Sequence, residues 1–383
     1  MIRKKVKTSP IHPPDLTLLG LVVLLLAFGV LMVYDASVVE SLSLVGGQYH
    51  YLLRQLAWVG LGAVGGFLAF FPDLRVFKTL SLPFFIFTIL ALIFVLIPSP
   101  FSSQIGGSRS WLALPIDVPI LGSLGGQPSE FAKLALILYL AALFTKRKRA
   151  GEKGVRFLDF LFPTALVCGL IILENDIGNT VIAALLGVAS FFFAGGALLQ
   201  MLLLLPFAAG GLAFFWFFSS TFQNRIRLWL DSSIDPQGLG YQLRQIAIAL
   251  GSGGFWGLGL GESKQKYGYI PEATTDAIFA ILGEEVGFIG ALLVMLVFLI
   301  VIYRGFLIAR DAPDDFSHLA AAGITAWFGL QTVINLASLT GLIPWTGITL
   351  PLISYGGSSL IVTLVGFGIL LNISRFTRRR SIR

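Results

Sequence analysis

Cysteine is nearly absent from this chain. Its one copy, Cys168, lies inside an apolar run and excludes any internal disulfide. Histidine is almost as scarce. His12, His50 and His318 stand far apart, so no His or Cys cluster suits zinc, haem or an iron–sulfur centre. Histidine acid–base chemistry is disfavoured for the same reason. Charged residues are only 12% of the 383 positions, about half the share of an ordinary soluble domain. No internal repeat or low-complexity segment is evident, which disfavours the inverted-repeat transporters.

What the chain has in plenty is apolar sequence: 56% hydrophobic residues and a mean hydropathy of +0.86. The expected fold is all-α, a polytopic membrane protein forming one membrane domain over residues 1–383. Ten candidate transmembrane helices lie near 16–34, 52–71, 79–98, 129–145, 158–174, 177–195, 198–218, 276–302, 319–342 and 352–373, each long enough for ~30 Å of hydrocarbon. The runs at 177–195 and 198–218 are joined by little more than Gly195 and Gly196, a tight helical hairpin.

Charge orients the bundle. Of the 27 basic residues, 19 fall in one set of alternating loops and at both ends of the chain, including Arg75, Lys78, Lys146–Arg149, Arg304, Arg310 and Arg375. The positive-inside rule makes that face, and both termini, cytoplasmic. A basic, lipid-facing rim accounts for the net charge of +7 without nucleic acid. The first apolar run follows a basic start and has no small-residue cleavage site after it, so it reads as a retained signal anchor.

Two non-cytoplasmic loops are long, about 99–128 and about 219–275, the second just before the eighth span. Loops of that length in compact proteins are usually functional or disordered. The second holds interfacial aromatics, and its Tyr241–Leu250 run has apolar residues at helical spacing, as in a short helix at the membrane surface.

The second loop also leads into the most polar stretch, Gly257–Gly287, with carboxylates Glu272, Asp276, Glu284 and Glu285 and lysines Lys264 and Lys266. Ionisable groups at a membrane segment are expensive and are usually retained for function. Asp276 sits where the eighth span begins, at its non-cytoplasmic mouth. It reads as a helix cap or as a general base, with Glu272 one turn before it. Glu284 and Glu285 read first as partners of an Arg or Lys on a neighbouring helix.

Other polar residues gather at the same ends of the spans. Glu130 and Lys133, three apart on one helical face, either tie the bundle together or border a polar cavity. Arg109 beside Trp111 could bind a phosphate. Glu174 and Asp176 are loop residues or a cap over Ile177, and the Ser354–Ser359 stretch permits close helix packing or a ligand contact. A polar cluster on one side of the bilayer fits an extracytoplasmic active site better than a conduction path.

Three segments, QPSEFAK (Gln127–Lys133), PEATTDAIFAILGEE (Pro271–Glu285) and LPLISYGGSS (Leu350–Ser359), resemble signature segments of the SEDS proteins (shape, elongation, division, sporulation). GYQLRQ…GSGG…GLG and the residues Glu174–Thr180 resemble two more, so the resemblance covers essentially the whole chain. Residues GEEVG and TGITLPLISYGGSS are more similar to the division branch, FtsW, than to the elongation branch, RodA. The resemblance implies a ten-helix peptidoglycan glycosyltransferase of the bacterial cytoplasmic membrane, polymerising lipid II. It implies Asp276 as the catalytic base, with Glu130, Lys133 and Arg109 at the substrate. Asp176, Lys264, Glu272, Ser358 and Ser359 complete the expected substrate-binding set. It further implies a divalent cation (Mg or Mn), with Asp276 as a possible ligand, and lipid II and an undecaprenyl-linked glycan strand as substrates. A class B penicillin-binding transpeptidase is the implied partner. Two departures stand out. Asn175-Asp176-Ile177-Gly178 replaces the family's Pro-Asp-Leu-Gly, and Thr275 stands where a His is common. Rival readings are a lipid II flippase, which would need polar groups in the cytoplasmic half, and a scaffold, which would not need Asp276.

Overall fold

The computed structural model describes residues 12–105, 108–118, 122–149, 155–235 and 237–377. The basic residues at the extreme termini, Lys153, and the glycines Gly106 and Gly107 lie outside them. Thirteen helices occur among the described residues: α1 (Leu16–Val45), α2 (His50–Phe70), α3 (Leu74–Leu96), α4 (Pro128–Arg149), α5 (Phe157–Leu173), α6 (Ile177–Phe193), α7 (Leu198–Leu202), α8 (Leu204–Phe218), α9 (Ser220–Leu230), α10 (Leu239–Ser252), α11 (Ile278–Arg310), α12 (Asp315–Leu339) and α13 (Gly357–Ser374). Seven of them (α1–α4 and α11–α13) are long and apolar enough to cross a membrane. The expected fifth and sixth spans are helices of 17 residues each, and the expected seventh is broken into α7 and α8.

Helix ends follow local chemistry. Asp15 caps α1 by accepting from Leu18 N at 2.9 Å, Asp73 caps α3, and Asp314 caps α12. Gly46 ends α1 in the left-handed conformation that favours glycine.

Burial divides the spans. In α4, α12 and α13 most of the apolar stretch is inside the bundle, whereas α1, α2 and α3 turn residues such as Phe67, Leu68 and Phe87 outward, as a lipid-facing rim requires. Helices α2 and α13 approach closely because Gly66 and Gly368 meet backbone to backbone, so a methyl group on either would collide. On the basic face the chain's two ends are tied. Asp15 pairs with Arg304, His12 N donates to Arg375 O at 2.8 Å, and Arg375 Nη1 donates to Phe70 O at 3.1 Å.

The expectation of an all-α fold needs one amendment. Part of the first long loop forms a three-stranded antiparallel sheet: β1 (Ser102–Ile105), β2 (Ser108–Val118) and β3 (Gly122–Gly126), in that order. Glycine-rich β3 has little strand propensity of its own. Gly125 nevertheless fits where a Cβ would press on the Leu112 carbonyl at 2.9 Å, so only pairing with β2 makes it a strand. The second long loop holds α9, and α10 realises the helix expected at Tyr241–Leu250.

Helix α11 is interrupted at Gly287 (φ 68°, ψ −172°). The carbonyls of Glu284 and Glu285 accept from Leu258 N and Gly259 N, both at 3.0 Å, while Phe288 N and Ile289 N donate to Gly254 O and Phe255 O. The glycine-rich turn after α10 thus supplies the partners that the broken ladder loses, the condition for irregular backbone inside a membrane protein.

Candidate active site

A cleft of about 1170 Å³ opens between α1, α2, β2, the first turn of α4, the start of α6, α9 and the segments 266–276 and 345–359. Its wall carries Glu130, Asp176, Arg225, Lys266, Glu272, Asp276, Ser358 and Ser359.

Asp276 lies two residues before α11 begins, in the segment that follows Pro271. Its backbone is pinned: Asn335 Nδ2, from α12, donates to Asp276 O at 3.0 Å and to Ile348 O at 2.6 Å. Tyr355 N donates to Thr274 O at 2.9 Å. Burial raises the Asp276 carboxyl to about 6 and the Glu272 charge adds to the rise, while Thr275 and the Arg225 guanidinium pull it back. A carboxylate poised there is ionised at neutral pH yet basic enough to take a proton. Glu272 itself has φ 56° and accepts from Thr275 Oγ1 at 2.9 Å.

Arg225, on α9, is the guanidinium beside this carboxylate. Burial lowers its affinity for its proton, and the charges of Asp176 and Asp276 hold the proton on. Its Nη1 donates to Thr346 O at 3.2 Å. The sequence placed Arg225 only within a long loop, not at a site; the signal was an amphipathic helical run ending a membrane segment.

Lys133 is fully buried and does not line the cleft. Its Nζ lies 2.8 Å from Glu130 Oε1, 2.9 Å from Asn179 Oδ1 and 3.2 Å from Gln331 Oε1, so it joins α4, α6 and α12. Trp327 stacks a ring under it, 5.5 Å from ring centre to Nζ. Glu130 reaches the cleft wall, and its Oε2 has no hydrogen-bond partner. The two expectations for this pair therefore divide: lysine binds the bundle together and glutamate borders the cavity.

Asp176 caps α6, accepting from Asn179 N at 3.0 Å and Asn179 Nδ2 at 2.8 Å, and also takes Gln127 Nε2 at 2.9 Å. It faces the cleft with these amides attached. Ser358 Oγ accepts from Gln127 N at 3.1 Å, and Ser359 Oγ lies 3.4 Å from Thr349 Oγ1. Glu174 is buried away from the cleft, and burial, helped by the Asp176 charge, lifts its carboxyl to about 9.

Two expected residues do not reach the cleft. Arg109 is half-buried on β2, while its neighbours Ser108, Ser110 and Trp111 line the wall. Lys264 is exposed, and its N–H donates to Glu284 Oε1 at 3.3 Å. Lys266 is the buried lysine of that segment. Glu284 collects Ser263 Oγ, Ser252 Oγ and Gln265 N, and Glu285 takes Ser263 N and Lys266 Nζ. The expected cationic partner of the paired glutamates exists, but on the preceding loop rather than on a neighbouring helix.

Among the described residues no three His, Cys, Asp or Glu side chains converge as a metal cage.

Residues 16–379 match the FTSW_RODA_SPOVE profile, described as a cell cycle protein. A probable peptidoglycan glycosyltransferase FtsW from Trichlorobacter lovleyi is 37% identical over 361 residues, covering 94% of this chain and 93% of the relative. Among solved structures, a chain of a peptidoglycan synthase complex that coordinates polymerization and crosslinking superposes with TM-score 0.75 at 29% identity, covering 96% of this chain and 99% of that one. Thermus thermophilus rod shape determining protein RodA gives 0.68 at 26% identity, covering 96% and 98%. A multi-pass helical membrane protein matched end to end by these relatives belongs to the FtsW/RodA/SpoVE family.

Proposed function

We propose that this chain is a peptidoglycan glycosyltransferase that polymerises lipid II, with Asp276 as general base and a role in cell division. The observation that carries the reading is one carboxylate, raised by burial to about 6, beside Arg225 in the wall of a large cleft that also holds Glu130, Asp176 and Glu272. In this reading the seven long apolar helices, α5, α6 and the α7–α8 pair make ten spans, and the basic bias of alternate loops supports cytoplasmic termini and an extracytoplasmic cleft. The long loops at 99–128 and 219–275 then lie outside the cell, carrying the sheet, α9 and α10.

In the reaction, Asp276 takes the proton from the 4-hydroxyl of the acceptor lipid II's GlcNAc. That oxygen attacks the anomeric carbon of the donor strand from the face opposite the leaving group. The bond to undecaprenyl pyrophosphate breaks, the centre inverts, and a β-1,4 linkage forms. Negative charge grows on the departing diphosphate, and Arg225, one of the cations in the cleft wall with Arg54 and Lys266, is assigned to stabilise it. Glu130, Asp176, Ser358 and Ser359 offer polar contacts to sugar hydroxyls. Lys133 holds Glu130 and Asn179 in place rather than touching substrate. A bound Mg²⁺ or Mn²⁺ ion would offset charge on the leaving diphosphate, with Asp276 in the cleft wall as the residue to hold it. The neighbour from a peptidoglycan synthase complex, which coordinates polymerization and crosslinking, supports a crosslinking partner, and the class B penicillin-binding transpeptidase is the one that the family resemblance implies.

The test is polymerisation of labelled lipid II by the full chain with such a transpeptidase, beside Asp276→Asn. Polymer from the wild type alone is expected. Equal polymer from both would remove Asp276 as the base, and stable protein that never polymerises would return the flippase or scaffold readings.

A further inference from the structure

The segment that carries Asp276 begins at an ion cluster that the reaction does not use. Lys266 Nζ lies 2.7 Å from Asp35 Oδ1, 3.3 Å from Glu285 Oε1 and 2.7 Å from Gly261 O. The two carboxylates come from α1 and α11, so one side chain ties the 253–276 segment to two spans. The cluster is nearly closed to solvent, with side-chain exposures of 6% for Lys266, 15% for Asp35 and 0% for Glu285. Burial works against the lysine's charge, but the Asp35 hydrogen bond and the charges of both carboxylates outweigh it and hold the ammonium protonated.

A buried ion cluster contributes little net stability, yet breaking it leaves uncompensated charge, and it selects one geometry over its alternatives. From Lys266 onward the chain has little slack. Ile270 N donates to Gln265 O, Gln242 Nε2 to Pro271 O at 3.1 Å, and Tyr355 N to Thr274 O. Glu272 is held at a positive φ that a non-glycine residue keeps only where its surroundings over-determine it. Lys266 and Asp276 line the same cleft at the two ends of this braced segment.

We infer that Lys266, clamped by Asp35 and Glu285, is a positioning residue that sets the Asp276 carboxylate against the acceptor hydroxyl. The inference rests on the glycosyl-transfer reading above. Without the clamp the segment re-registers against α1, and an ångström of displacement at a reacting group costs on the order of 100-fold in rate.

The experiment measures kcat and KM for lipid II with the full chain and its transpeptidase partner. It compares wild type, Lys266→Met, Lys266→Arg and the swapped variant Asp35→Lys with Lys266→Asp and Glu285→Gln, in which the new carboxylate does not face the Glu285 charge, and records melting of each protein. For Lys266→Met, kcat should fall about 100-fold while KM stays within about threefold, because binding groups elsewhere in the cleft are untouched. The swap restores opposite charges across α1 and the segment and should recover roughly a tenth or more of wild-type kcat, as coupled residues do. If Lys266→Met does not fold, Lys266→Arg decides. It keeps the charge but not the reach, and a drop of about tenfold in kcat at unchanged melting is expected. Wild-type kcat in Lys266→Met, or in Lys266→Arg when Met does not fold, overturns the inference. So does a loss of kcat that tracks lower melting and is not recovered by the swap. A wild type that makes no polymer removes the glycosyl-transfer reading and the inference together, whereas an active wild type with active Lys266 variants removes the inference alone.

Discussion

Asp276 and Arg225 converge on one point of backbone: a Cβ placed on Gly347 would lie 3.3 Å from Asp276 Oδ2 and 3.9 Å from Arg225 Nη2. Gly347 has φ +69°, so this close approach uses both the missing side chain and the conformation that glycine allows. Gly347→Ala strains the backbone by about 1 kcal/mol and narrows the space at the base. A fall in kcat/KM larger than the fall in melting predicts would show the second effect, and kinetics beside thermal unfolding measures both.

The position of Asp276 makes the reaction pH-dependent in a definite direction. As the proposed base, Asp276 must be ionised, so kcat should rise with pH through about 6 and level off above it. The Arg225 charge lowers the Asp276 pKa and the Glu272 charge raises it. Arg225→Gln should therefore move the rising limb to higher pH, and Glu272→Gln should move it lower. Single-turnover polymerisation at a series of pH values reads both shifts. Movement in the opposite directions would mean another group titrates.

Glu174 offers a stability test away from the reaction. Burial lifts its carboxyl from an ordinary value of 4.5 to about 9 in the folded protein. A raised carboxyl stabilises the fold fully below the unfolded value, and that contribution is lost as pH rises toward the folded one. Glu174→Gln, neutral at every pH, should melt like the wild type near pH 4 and higher than the wild type near pH 9. Equal pH dependence in both proteins would show that Glu174 is ionised in the fold.

Lys133→Met leaves Glu130 as a buried charge with no cation and strips a donor from Asn179 and Gln331. Breaking a buried pair this way costs about 3–5 kcal/mol. Melting in detergent should drop by several degrees. Adding Glu130→Gln to Lys133→Met should recover part of the loss, because the unpaired charge is then gone.

Gly287→Ala should be among the most damaging single-methyl changes in the chain. The residue sits at φ +68°, and its Cβ would press into the backbone around Gly257, where the turn after α10 enters the break in α11. A strained conformation of this class costs about 1–3 kcal/mol before any clash is counted. Hydrogen exchange should quicken at Leu258, Gly259, Phe288 and Ile289, the amides that cross the break.

Much of this architecture could be read from composition alone, because the bilayer imposes a length and an apolar composition on every segment that crosses it. The long spans, the helix around Tyr241–Leu250 and the carboxylate at the mouth of α11 follow from periodicity, caps and the rarity of charge. Glu130 and Lys133 were legible as an internal pair for the same reason, since charges inside an apolar helix must find each other.

What the tertiary structure decided is which polar residues meet. Strand β3 exists only through pairing with β2, so its glycines carried no strand signal. Arg109 and Lys264 look as eligible in sequence as Arg225 and Lys266, yet the fold puts the first two outside the cleft and the second two on its wall. Asp35 and Lys266 are 231 residues apart and meet at 2.7 Å. No local pattern encodes that distance. Segment by segment, apolar length was enough to mark the seven long helices. Only the packing of those segments determined that Asp276 would share a cleft with a guanidinium and a clamped lysine, because long-range contacts depend on how helices pack and not on any one helix's composition.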